Sequence, residues 1–79
     1  MKINVLFFGA TAELAGSHKI ETAVSGAAVA ANVIEDLTIR YPILRDHKLL
    51  FAVNEEYVAE DFPLKDGDEL AIFTAVSGG

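Results

Sequence analysis

The chain has 79 residues, room for one domain, and 52% of them are apolar, which supplies a real core and excludes a disordered chain. Cysteine is absent, which excludes a thiol nucleophile, a thiolate metal site and a disulfide framework. Twelve acidic against six basic residues give a net charge of −6, which argues against a nucleic-acid partner.

The opening KINVLFF (2–8) is rich in β-branched and aromatic residues and predicts a first strand. Its apolar run is short and interrupted by Asn4, so it reads as part of the domain and not as a leader peptide. Gly9 and Gly16 bracket a short helical turn over ATAELA. In HKIETAV, alternation of Ile20, Thr22 and Val24 predicts a second strand, broken by Ser25 and Gly26. From Ala27 to Tyr41 the period changes to four: Val29, Val33 and Leu37, with Ala30 and Ile34 beside them, form one stripe of an amphipathic helix. Ser25 is its expected N-cap, and Pro42 ends it at Tyr41. LLFAV (49–53) is a third strand, NEEY turns into a short fourth, KDGD (65–68) is a turn with Gly67 at positive φ, and ELAIFTAV (69–76) is the last strand. One main helix against a mixed sheet of about five strands is an α+β roll. No stretch approaches the length needed to cross a bilayer, so no membrane partner is expected.

Alternation also assigns faces. Ile3, Val5 and Phe7 share one side of the first strand with Leu70 and Ile72 of the last, and these all-apolar sets must face the helix. Leu6, Phe8 and Phe73 then lie on the outer side, where leaving each uncovered forgoes about 1.5–3 kcal/mol of burial. Either a partner protein covers them or the 54–66 loop folds over them. The charge distribution favours the partner. Residues 54–69 hold Glu55, Glu56, Glu60, Asp61, Asp66, Asp68 and Glu69 against Lys65 alone, while the remainder carries five charges of each sign. An apolar patch beside an acidic rim has the composition of an interface, and the rim would steer a basic partner.

No autonomous active site emerges. His18 and His47 are far apart with no ligand spacing, DGD lacks the rest of a calcium loop, and Ser17, Ser25 and Ser77 sit in no nucleophile motif. No metal or directly bound cofactor is therefore expected. What remains is TAVSGG, residues 74–79. Terminal glycines are tolerated at any frayed end, but a slim tail bearing a free carboxylate is also a reactive group in its own right. The expected organisation is a single domain over 1–79 with a flexible tail over 75–79.

VLFFGATAELAG at the start, LLFAVNEEYV in the middle and PLKDGDELAIFTAVSGG at the end together resemble the small subunits of molybdopterin synthases, the ubiquitin-like β-grasp sulfur carriers. The likeness covers nearly the whole chain and is most specific at its close. It implies that the Gly79 carboxylate is adenylated by an ATP-dependent E1-like enzyme and converted to a thiocarboxylate. The tail then enters the large subunit, where sulfur passes to a cyclic pyranopterin precursor. Gly78 is the slim neighbour that lets the tail through a narrow channel, since glycine has no Cβ. Phe8, Phe73 and Tyr57, with Leu6 and Val76, match the partner-facing patch. ATP belongs to the activating enzyme, the chain being substrate and subunit and not a free-standing catalyst, at work in the cytoplasm. Thr74 and Ala75 stand where many such carriers have prolines, and Ala12 where they often have Arg. Three alternatives stay open: a carrier for the thiazole of thiamine, a modifier conjugated to other proteins through Gly79, and a plain interaction domain.

Overall fold

The computed structural model of the chain describes residues 1–74. Its strands are β1 (Lys2–Phe7), β2 (Lys19–Ala23), β3 (Leu49–Val53), β4 (Glu56–Tyr57) and β5 (Glu69–Thr74), and its helices are α1 (Ala10–Ala15) and α2 (Ala30–Arg40). They form one sheet in the order β2-β1-β5-β3-β4. β1 and β5 run parallel in its centre, Val5 opposite Leu70, and the other neighbours are antiparallel. This is the α+β roll expected from the sequence.

The face assignment holds. Ile3, Val5 and Phe7 of β1, Val53 of β3 and Leu70 and Ile72 of β5 are buried with Val33 and Leu37 of α2, closed by Leu44 and Leu64. Tyr41 adds an edge-to-face contact to Phe7, centroids 5.8 Å apart.

Three local expectations are corrected. The main helix begins at Ala30 and not at Ala27, and Ser25 does not cap it. The Ser25 hydroxyl accepts only a 3.3 Å bond from Ala27 N–H. Instead the N–H groups of Ala30 and Ala31 donate to the carbonyls of Phe62 (2.9 Å) and Glu60 (2.7 Å), and Asn32 Oδ1 accepts from Val29 N–H at 2.8 Å. Helix donors that would otherwise be orphaned are thus satisfied by a segment distant in sequence. The helix stops at Arg40, as Tyr41 before Pro42 leaves helical geometry (φ −125°, ψ 78°), but Pro42 then opens a 3₁₀ turn over Pro42–Asp46 that carries Leu44 into the core. Finally, β1 ends at Phe7, because Gly9 takes φ 56°, ψ −133°, a combination closed to other residues, and swings the chain into α1. The last strand is described to Thr74; the expected continuation through Ala75 and Val76 lies outside the described residues.

The contacts at the start of α2 also decide what covers the outer face. Residues 59–64 run along the helix start, with Leu64 N–H bonded to Ala28 O at 3.1 Å and Val29 bridged to Pro63. Main chain held there is not folded over Leu6, Phe8 and Phe73; of the 54–66 segment, its beginning borders them through Glu55 and Tyr57 and leaves Phe8 half exposed.

Thr11 ties α1 to the sheet. It is fully buried, and its hydroxyl sits 2.6 Å from Phe8 O and 2.9 Å from Ile72 O. Both carbonyls keep a main-chain donor without it, Thr11 N–H and Phe8 N–H respectively. Thr11→Val is accordingly expected to lower unfolding free energy by about 1–2 kcal/mol in a denaturant titration, and Thr11→Ser to recover most of that.

Candidate functional site

The outer face of the sheet is organised by strand register. Leu6 of β1 lies opposite Ala71 of β5, Ala71 opposite Ala52 of β3, and Ala52 opposite Tyr57 of β4. One row across four strands therefore reads large, small, small, large. The next row sets Phe73 opposite Leu50, with Phe8 just past the end of β1. Two alanines flanked by Leu6, Tyr57, Phe8 and Phe73 leave a groove of about 270 Å³ with a small-residue floor. Tyr57 and Phe73 meet edge to face at 5.5 Å, which fixes one wall. Phe8 is 50% exposed and Tyr57 75% exposed, unusual for aromatic side chains with no partner chain over them.

The structure thus gathers Leu6, Phe8, Tyr57 and Phe73 in one place. Val76, Gly78 and Gly79, the remaining expected site residues, lie outside the described residues. The groove opens beside the stretch that leads to them, since Phe73 is followed by Thr74, the last described position.

Two acidic residues complete the lining, Glu55 and Glu69. Others from the acidic run are turned to structural use. Asp66 Oδ1 accepts Lys2 N–H at 2.7 Å, and Asp68 accepts Lys65 N–H at 2.8 Å and the Asn54 amide at 3.0 Å. Sequence reasoning treated these carboxylates as one steering cluster and missed the division between them. It also missed Ala52 and Ala71 as the groove floor. Alternation put Ala71 on the outer face, but only cross-strand register places it against Ala52.

Glu55 reaches the groove through an unusual turn. The hairpin joining β3 to β4 has two central residues, Asn54 and Glu55, at φ 49° and 71°, the signature of a type I′ turn. Asn tolerates this region; Glu does so at a cost of about 1–2 kcal/mol. Asn54 is further held by its side chain, whose Oδ1 accepts Glu69 N–H at 3.0 Å. Glu55→Gly is expected to stabilise the domain by about 0.5–1 kcal/mol in thermal or denaturant unfolding, part of the relief being offset by the freedom of an unfolded glycine. A neutral or negative change would mean that the Glu55 conformation carries no strain.

Among the described residues no three His, Cys, Asp or Glu side chains converge as metal ligands, and no helix is long and apolar enough to cross a membrane. Among the described residues, what stands out here is an apolar groove with an acidic border, beside the strand described to Thr74. Comparison with known proteins decides its lineage: the ThiS family model matches residues 5–79. The chain belongs to the ThiS family. Over 98% of this chain and 99% of the relative, it is 42% identical to the molybdopterin synthase sulfur carrier subunit of Escherichia coli (strain K12). Among solved structures, the ThiS-family chain matches a putative molybdopterin converting factor subunit 1 from Pyrococcus furiosus with TM-score 0.90 and 28% identity, covering 96% of this chain and 99% of that one. It matches SAMP1 from Haloferax volcanii with TM-score 0.86 and 30% identity over the whole of both chains. The sheet and helix described above are therefore those of a ubiquitin-like β-grasp domain.

Proposed function

We propose that this ThiS-family chain is the sulfur carrier subunit of a molybdopterin synthase, acting in the cytoplasm. The observation that carries the reading is the end-to-end likeness, at 42% identity, to the E. coli protein of that name. On this reading an ATP-dependent E1-like enzyme adenylates the Gly79 carboxylate, with pyrophosphate leaving. Sulfur supplied to that acyl-adenylate displaces AMP and leaves a thiocarboxylate. The carrier then docks on the synthase large subunit, which holds the cyclic pyranopterin precursor, and gives up its sulfur there.

The groove supports the docking half of this account. Leu6, Phe8, Tyr57 and Phe73 offer an apolar seat of the kind that dominates binding energy in protein interfaces. Glu55 and Glu69 at its border suit a partner that presents an apolar anchor next to Lys or Arg. Gly79 is the fifth residue past Thr74, and a fully extended chain spans at most about 3.3–3.6 Å per residue. The partner's reacting centre must then lie within about 18 Å of Thr74.

The test is the intact mass of the chain after incubation with an adenylating enzyme, ATP and a sulfur donor. The expected product is heavier by the difference between one sulfur and one oxygen, and hydrolysis returns it to the starting mass. If the mass never changes, the carrier reading fails. The likeness to SAMP1 from H. volcanii favours one further reading, a modifier joined through Gly79 to amines of other proteins. Antibody-reactive ladders of higher mass in cells, with no sulfur-bearing species, would favour that reading instead.

A further inference from the structure

The opposite edge of the sheet carries a second unfilled site. Among the described residues β2 lies at the margin of the sheet, paired with β1 alone. Phe7 N–H donates to His18 O at 2.9 Å and Val24 N–H to Met1 O at 2.8 Å. Antiparallel alternation then turns the main-chain groups of Ile20, Thr22 and Val24 toward β1 and those of Lys19, Glu21 and Ala23 outward, with no strand to receive them. On the helix side the same strand shows Ile20, Thr22 and Val24 only half-buried. Beside its end opens a groove of about 610 Å³, lined by Ala23, Val24, Ser25, Asn32, Glu35 and Asp36 among others. Ala23 belongs to both features: its backbone faces the open edge and the residue borders the groove.

The charges on the groove are uncompensated. Among the described residues the one ion pair within 4 Å joins Lys2 to Glu21, so Glu35 and Asp36 of α2 have no cationic partner. The polar neighbours are already engaged, Asn32 Oδ1 with Val29 N–H and the Ser25 hydroxyl with Ala27 N–H.

We propose that the β2 edge and this groove form a second docking site, taking an extended segment of a partner protein with Lys or Arg at alternating positions. The segment adds to the sheet through the outward groups of Lys19, Glu21 and Ala23. Its alternate side chains then fall on the helix side. There a long aliphatic stem covers the half-buried Ile20 and Val24 while its charged end reaches Glu35 or Asp36. A second copy of this chain is a poorer occupant, because its own β2 would present Ile20, Thr22 and Val24 on the helix side, with no Lys or Arg to meet Glu35 and Asp36. The site lies at the far margin of the sheet from β4, on the helix side, so the outer groove stays open when it is filled.

The experiment titrates the isotope-labelled full chain with a synthetic peptide of alternating Val and Lys, and separately with one of alternating Val and Glu. With the Lys peptide alone, the amide signals of Lys19, Glu21 and Ala23 are expected to shift and to gain exchange protection. Glu21→Pro removes one outward N–H without touching the bonds of Ile20 and Thr22 to β1, and is expected to weaken binding about tenfold. Should that variant misfold, Glu35→Lys with Asp36→Lys, both on the exposed side of α2, is expected to weaken it by at least about tenfold. The proposal is overturned if neither peptide binds or if both bind equally. It is also overturned if the shifts fall on Leu6, Phe8 and Phe73, or if β2 becomes protected with rising protein concentration and no peptide, which would make the occupant a second copy.

Discussion

Removal of Gly79 is expected to abolish sulfuration of the pterin precursor while leaving the thermal midpoint of the carrier nearly unchanged. The carboxylate would then belong to Gly78, one residue short, and its position would retreat by about 3.3–3.6 Å. Misplacing a reacting group by even about 1 Å can cost about 10²-fold in rate, so a retreat of this size leaves no useful turnover. Stability is not expected to follow, because among the described residues the buried core runs from Ile3 to Ile72 and is complete without Gly79 as a packing group. Product formation measured with purified large subunit, alongside thermal unfolding of the same sample, reads both halves. A shortened chain that still delivers sulfur would remove the assigned role of Gly79.

Phe73→Asp is expected to weaken association with the large subunit by about 2–4 kcal/mol, roughly 30- to 1000-fold in Kd by titration calorimetry. The ring forms a groove wall, meets Tyr57 edge to face, and stands on the same strand face as Glu69. Replacing it with a carboxylate removes the apolar wall and adds a third acidic group to a border that already has two. The isolated domain should lose little, because Phe73 is only half-buried and points away from the core of Ile72 and Leu70. Phe73→Ala separates the two effects, taking away the wall without adding charge. An unfolded Phe73→Asp protein with a folded Phe73→Ala protein would locate the damage in the charge. Unfolding of both would mean the outer face supports the fold as the inner one does.

Much of this could be read from the chain because alternation in β1 and β5 is clean. Ile3, Val5 and Phe7 could face only the helix, so Leu6 and Phe8 could only face out. The Gly67 turn was equally legible: φ is 85° there, and KDGD announces it. What could not be read depends on pairings between distant segments. The helix start was placed too early because Ser25 looks like a cap, whereas the actual acceptors are carbonyls of Glu60 and Phe62, whose side chains give no hint of the role. The 3₁₀ turn was missed because Pro42 was read only as a stop. The groove floor needed the register of β3 on β5, which alternation within either strand does not supply. Gly78, Gly79 and Val76 rest on family likeness and chemistry alone.

The parallel pairing of β1 with β5 has a further consequence for how the carrier comes into being. Val5 and Leu70 are neighbours in the middle of the sheet, so the first strand to emerge during synthesis waits for the last. Until β5 is in place, β1 lacks its parallel neighbour and the core lacks Leu70 and Ile72, and contacts of such long sequence separation make assembly slow. The strand that completes the sheet is also the one that leads to Gly79. A chain interrupted before residue 69 would have neither a finished core nor a tail to activate. On the proposed function, a chain stopped there could neither fold nor be charged with sulfur, so folding and activation would both wait for the last strand.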